Sequence, residues 1–403
     1  MKMLDFKDKS LKLGILTLLM LSACSTSENV DINQINNQNI INTSSVTELG
    51  NINIKFNDAY KGLYTENEMT GNSSATSPDK AFIQIINSAK SSLDLAIFDI
   101  DDKAACGALI KAHKRGVKVR IVTDSDNFND KIKSSMPRQV LEDMKAVGIE
   151  IKGDNRTALM HSKFVIMDNN TVITGSSNLT HNSLFRDNNN VLKIHSIKLS
   201  TDYTAEFNRM FEQGIFGPNK HEIPFQSVNV DGTNIRPFFS PKGGAKAAII
   251  DELKKAKKSI KFMAFSFTDK DIELVINNKI KAGVKIEGIF DGCMISPYSL
   301  YKTFNDKKIP VYIDGNQALL HDKVFIIDGN TVITGSYNFS NNAEENNNES
   351  TLIIKSVPIA TQYIEEYQKL KFASINNKNI PPYDNRNCSS TSLGNTNSNE
   401  VEE

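Results

Sequence analysis

Two stretches of the chain bring the same reactive side chains together at the same spacing. The first reads His161-Ser162-Lys163, then Asp168, then Gly175-Ser176-Ser177-Asn178. The second reads His321-Asp322-Lys323, then Asp328, then Gly335-Ser336-Tyr337-Asn338. The two histidines are 160 residues apart, and every offset inside the two copies is identical. Imidazole suits nucleophilic or acid–base work near neutral pH. An ammonium with hydroxyl and carboxamide neighbours can neutralise a phosphoryl oxygen and hydrogen-bond to it. One such set would make Lys163, Ser176 and Asn178 anion-binding groups around His161. The other would do the same with Lys323, Ser336 and Asn338 around His321. Asp168 and Asp328 end a strand just before a turn, where an aspartate either serves the chemistry or holds the local backbone.

These groups need elements that aim them. On a strand, residues i and i+2 point to one face, so His161 projects with Lys163 and His321 with Lys323. A turn and a short strand, Thr171 to Thr174 or Thr331 to Thr334, return the Gly-Ser-x-Asn segment alongside. The surrounding chain is itself duplicated. Strand-like runs at Leu93–Phe98 and Val117–Val122 match Ile260–Phe265 and Val284–Ile289, with a helical segment between the members of each pair. Leu93 and Ile260, Gly116 and Gly283, and Asp124 and Asp291 are all 167 residues apart. Strands alternating with helices of ten or more residues predict α/β units with a largely buried sheet. The glycine after each helix fits the position where a left-handed residue closes the last turn. A period this long means two homologous domains, expected at 51–217 and 218–383.

The doubled pattern His-x-Lys-x4-Asp-x6-Gly-Ser-x-Asn resembles the phospholipase D superfamily, and the resemblance runs over both repeats, roughly Ile54 to Ser374. It implies two α-β-α sandwich domains related by a pseudo-twofold, with one active site at their interface. It further implies that one histidine attacks a phosphodiester to form a phosphohistidine while the other protonates the leaving alcohol. No metal or other cofactor is implied, and the sequence shows no cluster of ligands at metal spacing. Lys163, Lys323, Asn178 and Asn338 carry over as phosphate binders, with Ser176 and Ser336 as weaker candidates. Family members often place a glutamate eleven residues beyond the motif asparagine. Glu349 stands there in the second half and Asn189 in the first. With each residue assigned to its own half, Glu349 would favour an imidazolium at His321, the acid, and leave His161 as the nucleophile. Asp99, Ser266 and Thr268, at strand ends, rank below these residues, and His113, His181, His195 and His221 read as surface or packing residues.

The ends and the composition bear on where such an enzyme works. Lys2, Lys7, Lys9 and Lys12 precede an apolar run, Leu13 to Leu21, that is too short to span a bilayer. It leads into Leu21-Ser22-Ala23-Cys24, which resembles the lipobox of bacterial lipoproteins. That resemblance implies removal of residues 1–23, acylation of Cys24 and anchoring to an extracytoplasmic membrane face, the outer membrane if there are two. Residues 24–50 read as a polar tether and 384–403 as a polar tail. Without residues 1–23 the chain has 43 basic and 45 acidic residues, slightly acidic rather than the basic balance of a nucleic-acid binder. The expected partner is a phospholipid at a membrane surface, with nucleic acid as the alternative substrate. Fused halves imply that a monomer suffices, and the absence of spans after the signal weighs against a cardiolipin synthase-like transferase. Beyond Cys24 there are three cysteines, Cys106, Cys293 and Cys388, so one thiol is left over.

Overall fold

The computed structural model describes residues 50–57, 78–128, 138–218 and 222–376. The expected signal segment, Cys24, nearly all of the tether and the tail lie outside these residues. The first half runs β1 (Ile52–Phe56), α1 (Pro78–Ser88), β2 (Ser92–Ile97), α2 (Lys103–Lys114), β3 (Lys118–Thr123), α3 (Ser125–Phe128), α4 (Gln139–Ala146) and β4 (Glu150–Gly153). It continues through β5 (Lys163–Met167), β6 (Thr171–Gly175), α5 (His181–Phe185), β7 (Asn190–His195) and α6 (Ile197–Phe211). The second half opens with β8 (Val228–Val230), β9 (Thr233–Ser240), α7 (Ala245–Lys255), β10 (Ser259–Ala264), α8 (Lys270–Lys281) and β11 (Lys285–Phe290). A 3₁₀ turn at Gly292–Met294 leads to α9 (Leu300–Asp306), β12 (Val311–Ile313), β13 (Lys323–Ile327) and β14 (Thr331–Gly335). The half closes with α10 (Asn341–Glu345), β15 (Glu349–Lys355) and α11 (Val357–Asn376).

The duplication is written into the sheets. One has the order β1-β7-β6-β5-β2-β3-β4, the other β8-β9-β15-β14-β13-β10-β11-β12, so β8 is the single addition. In both, three strands run parallel (β2-β3-β4 and β10-β11-β12), and the motif strand pairs antiparallel with the first of them. The parallel strands are mostly apolar because both faces of each sheet are covered, and the charged residues that interrupt them pair between neighbouring strands, Arg120 with Asp94 and Lys261 with Glu287. Apolar residues of α1, α2 and α4 cover one face of the first sheet, and those of α7, α8 and α9 one face of the second. The other faces share a single apolar cluster, which α6 enters through Leu199, Tyr203, Phe207 and Met210. The same cluster takes Ile359, Tyr363, Tyr367 and Leu370 from α11, each 160 residues after its counterpart. Spacings of three and four put each set on one helical stripe. Full burial of each such side chain contributes on the order of 1.5–3 kcal/mol, which joins the halves through a common core.

Local chemistry sets the element ends. Asp102 accepts a hydrogen bond from the Ala105 N–H to start α2, and Asp269 does so from Asp271 and Ile272 to start α8. Gly116 and Gly283, with φ of +94° and +82°, close those helices as expected from their positions. The motif glycines have a stricter reason. Gly175 and Gly335 both sit at φ +147°, where a Cβ would stand 2.1 Å from the carbonyl oxygen of Asn190 or Ser350. No side chain fits between these strand ends, so the Gly-Ser step can lie flat against β7 or β15.

No helix among the described residues is long and apolar enough to cross a membrane. Cys106 is the free, buried thiol and Cys293 is disulfide-bonded. Burial, then the charges of Asp102 and Asp101, pushes the Cys106 thiol up to about 12, which leaves it chemically inert near neutral pH.

Candidate active site

Each motif histidine sits in the extended residues just before its strand. The pairing with the neighbouring strand continues there, with Phe98 N–H donating to Ser162 O and Phe265 N–H to Asp322 O. Phe98 and Phe265 each lie edge-on to the histidine, at 5.0 Å from His161 and 4.9 Å from His321. Each also lies under the lysine, 4.8 Å from Lys163 Nζ and 4.3 Å from Lys323 Nζ. The ammonium groups of Lys163 and Lys323 donate to the carbonyls of His161 (2.6 Å) and His321 (2.9 Å). All four motif side chains are buried. A buried cation is costly without counter-charge, and the charges of the buried Asp187 and Asp322 act on Lys323.

The two halves meet through the backbone beside these histidines. Asn188 forms an isolated bridge with Leu320 and Met160 with Asn348, two contacts that exchange under the pseudo-twofold. Around them His321 N–H donates to Asn188 O, and Asn348 N–H to Leu159 O, both at 2.9 Å. Asp124 accepts from Met160 N–H and Asp291 from Leu320 N–H, at 3.1 and 2.7 Å, fixing the residue before each histidine. Burial, then the charge of Asp154, pushes the Asp124 carboxyl up to about 7.

This cross-half docking overturns the expected partnership of Glu349. Its carboxylate accepts from His161 Nδ1, with both oxygens at 2.9 Å, and not from His321. His321 Nδ1 instead donates to Asn189 Oδ1 at 2.9 Å. The reason is topological: the start of β15 lies against the motif of the first half, and the start of β7 against that of the second. Position eleven beyond the asparagine is thus correct as a histidine partner, but it serves the other half's histidine. The argument that Glu349 makes His321 an imidazolium falls with it. Burial lowers the His321 pKa well below the usual imidazole value, helped by the charges of Lys323, Lys163 and His161. Glu349 of the second half on His161 and Asn189 of the first on His321 bring the two motifs together.

The serines are likewise reassigned. Ser176 Oγ donates to Asn189 Oδ1 at 2.8 Å, and Ser336 Oγ donates to Glu349 Oε2. Both hydroxyls are buried, and their protons go to the residues that contact the histidines rather than into the space in front of them. Asn178 and Asn338 are buried too, and their carboxamide oxygens have no hydrogen-bond partner among the described residues. The chain after them is pinned by Leu179 N–H to Asp99 O and Phe339 N–H to Ser266 O, while Thr268 N–H returns to Phe339 O. Asp99, Ser266 and Thr268 therefore hold the asparagine segments through their backbones, and the Asp99 carboxylate pairs with Arg138. Tyr337 is packed in the core with its hydroxyl on Glu344. His195 bonds Thr171.

Asp168 and Asp328 hold a turn away from the histidines. Each lies five residues down its strand from the motif lysine, about 16 Å along the chain. There Asp168 accepts from the backbone N–H groups of Lys90, Ser91 and Ser92, and Asp328 from those of Lys257, Lys258 and Ser259. Both have positive φ, +50° and +52°, at the turn after the strand. Burial alone would raise both carboxyls, but the backbone donors outweigh it and hold both below the usual value. A depressed pKa contributes stability that is present above the unfolded value and lost as pH falls through the folded one. Asp328→Asn should therefore lower the thermal midpoint at pH 7, with the gap from the parent closing below about pH 4. Activity should stay within about twofold, since nothing at the histidines changes. Thermal melts at the two pH values with a parallel assay check both.

The chain resembles known proteins in sequence and in fold. A family model described as cardiolipin synthase, PLD-like domain, matches residues 82–211 and again 249–371, well over half of the chain. The chain belongs to the phospholipase D superfamily. A relative named phospholipase D from Rickettsia prowazekii is 27% identical over 181 residues, 44% of this chain and 88% of its own length. The mitochondrial cardiolipin hydrolase of Xenopus laevis is 29% identical over 139 residues, 34% of this chain and 63% of its own. Phosphatidylserine synthase from Haemophilus influenzae matches in fold with a TM-score of 0.58 at 14% identity, covering 78% of this chain and 85% of that structure. Superfamily membership and the doubled sheet order account for the α/β architecture with two such domains.

Proposed function

We propose that the protein is a phospholipase D-type phosphodiesterase that hydrolyses membrane phospholipids to phosphatidic acid and a free headgroup, with no metal ion in the reaction. The observation that carries this reading is the unequal pair of histidine partners at one site: a carboxylate on His161, a carboxamide on His321. A carboxylate on Nδ1 keeps the proton on that nitrogen and directs Nε2 to attack. It also stabilises the cationic ring of an Nε2-phosphoryl adduct. A neutral amide partner leaves an imidazolium more acidic, the better donor to a departing alkoxide.

In the first step His161 Nε2 forms a bond to phosphorus as the P–O bond to the headgroup breaks. The His321 Nε2 proton passes to the leaving oxygen. In the second step His321 takes a proton from water, whose oxygen attacks phosphorus and breaks the P–N bond. Lys163 and Lys323 neutralise the phosphoryl oxygens, and the amide N–H groups of Asn178 and Asn338 donate hydrogen bonds to them. Before substrate binds, burial and then the lysine charges favour the neutral form of His321. A phosphodiester monoanion between those lysines offsets their push, so His321 gains its proton as substrate binds.

Lipid as the substrate is supported by the names of the relatives and by the expected anchor at Cys24, which would hold the site at an extracytoplasmic bilayer. The test uses the full chain in detergent with phosphatidylcholine, phosphatidylethanolamine, cardiolipin and single- and double-stranded DNA, all in excess EDTA. Headgroup release is expected. DNA cleavage without lipid turnover would overturn the substrate, and activity only after a divalent ion is restored would overturn the mechanism.

A further inference from the structure

We propose that Asp322, the residue between the histidine and lysine of the second motif, is a positioning residue that favours the protonated form of His321 through Ser176 and Asn189. The inference rests on the reading of His321 as the acid. The two motifs differ here: Ser162 occupies the matching place in the first. Asp322 is buried, and its Oδ1 accepts from Asn190 Nδ2 at 2.6 Å and lies 3.4 Å from Ser176 Oγ. Ser176 Oγ is in turn 2.8 Å from Asn189 Oδ1, which accepts from His321 Nδ1. A carboxylate thus stands two hydrogen bonds behind the carboxamide, where the first half has Glu349 in direct contact with its histidine.

Ser176 has one hydroxyl proton and two acceptors for it. With Asp322 ionised, the charge draws that proton and leaves Asn189 Oδ1 to the Nδ1–H of His321 alone. The same buried charge favours an imidazolium nearby. With Asp322 protonated, the hydroxyl stays on Asn189 and competes with the imidazole. Burial pushes the Asp322 carboxyl up to about 7, against the pull of Asn190, Lys323 and Ser176, so its charge changes within the working range. The charged and titratable groups facing this network are Lys323 beside it, the buried Asp187 that interacts with Lys323, Lys163 and His161 from the other half, Glu349 beyond His161, and the Tyr363 hydroxyl, which donates to Asn190 Oδ1.

The test compares the full-length parent with Asp322→Asn and Asp322→Ser, the serine being what the first half carries. Phosphatidylethanolamine turnover is followed against pH, and the six histidines are followed by ¹⁵N resonance with inorganic phosphate present. Loss of the anion lowers the His321 pKa, so the protonated acid disappears at lower pH. The alkaline limb of kcat and the His321 midpoint should both move down by about one unit, a tenfold loss above the limb and little below it. A uniform loss at every pH with the limb and midpoint in place would mean packing only and would overturn the proposal. If the parent releases no headgroup, the phospholipase reading fails while the resonance arm still decides the coupling.

Discussion

His161→Ala is expected to lose turnover and the covalent intermediate together, by about 10⁵-fold or more in rate, while His321→Ala loses only part of the cycle. The difference follows from the partners. His161 has its Nδ1 proton held by Glu349, so removing the ring removes the nucleophile. In the proposed mechanism His321 supplies a proton to the leaving group and later takes one from water, and its loss is expected to cost about 10²–10⁴-fold with an alkyl leaving group. A phosphodiester with a nitrophenol leaving group needs no proton in the first step. On it, His321→Ala should release one nitrophenol per enzyme in a burst and then stall, because no group activates water against the phosphohistidine. His161→Ala should give no burst. The trapped adduct should be acid-labile and map to His161. A burst from His161→Ala with none from His321→Ala would reverse the two roles.

What could be read from the sequence was what repeats locally. Period-2 and helical patterns fall at the same offsets in both halves, and the strands at Ser92–Ile97 and Ser259–Ala264 lie within one residue of their expected positions. The pairs His161/His321, Lys163/Lys323 and Asn178/Asn338 were visible for the same reason. Long-range docking was not. The offset of Glu349 marks it as a histidine partner, but which histidine depends on how β15 lies against the other half's motif, a contact 188 residues apart in sequence. Ser176 and Ser336 look like anion ligands because hydroxyls beside a catalytic motif can be, yet the close approach at Gly175 and Gly335 turns them onto β7 and β15. Asp168 and Asp328 share the motif's spacing because the turn they hold is as fixed in length as the strand. Phe98 and Phe265 carried a signal in their 167-residue spacing, but an aromatic at a strand end reads equally well as core. Asp322 had no signal of that kind, since it breaks the repeat.

Glu349→Gln should be the most damaging isosteric change in the site. Glu349 and His161 are both fully buried, and the carboxylate also accepts from Ser336. A glutamine can still accept from Nδ1 through its amide oxygen, so geometry and volume are nearly kept. What vanishes is the charge that balances the ring once Nε2 carries phosphorus. The substitution gives His161 the amide partner His321 already has, which turns an unequal pair into an equal one. Catalysis should fall by about 10²–10⁴-fold, the range expected when a buried carboxylate behind a catalytic imidazole is neutralised. The loss should appear in the rate of the nitrophenol burst, because the charge is needed while the P–N bond forms. Rapid-quench measurement of that burst separates this step from hydrolysis of the intermediate. A burst at parental rate followed by slow steady turnover would show Glu349 acting on the second step and would break the link between the carboxylate and the nucleophile. A burst slowed with KM unchanged would tie the asymmetry of the two motifs to their division of labour, one ring charged by its bond to phosphorus and the other by a proton that arrives with the substrate.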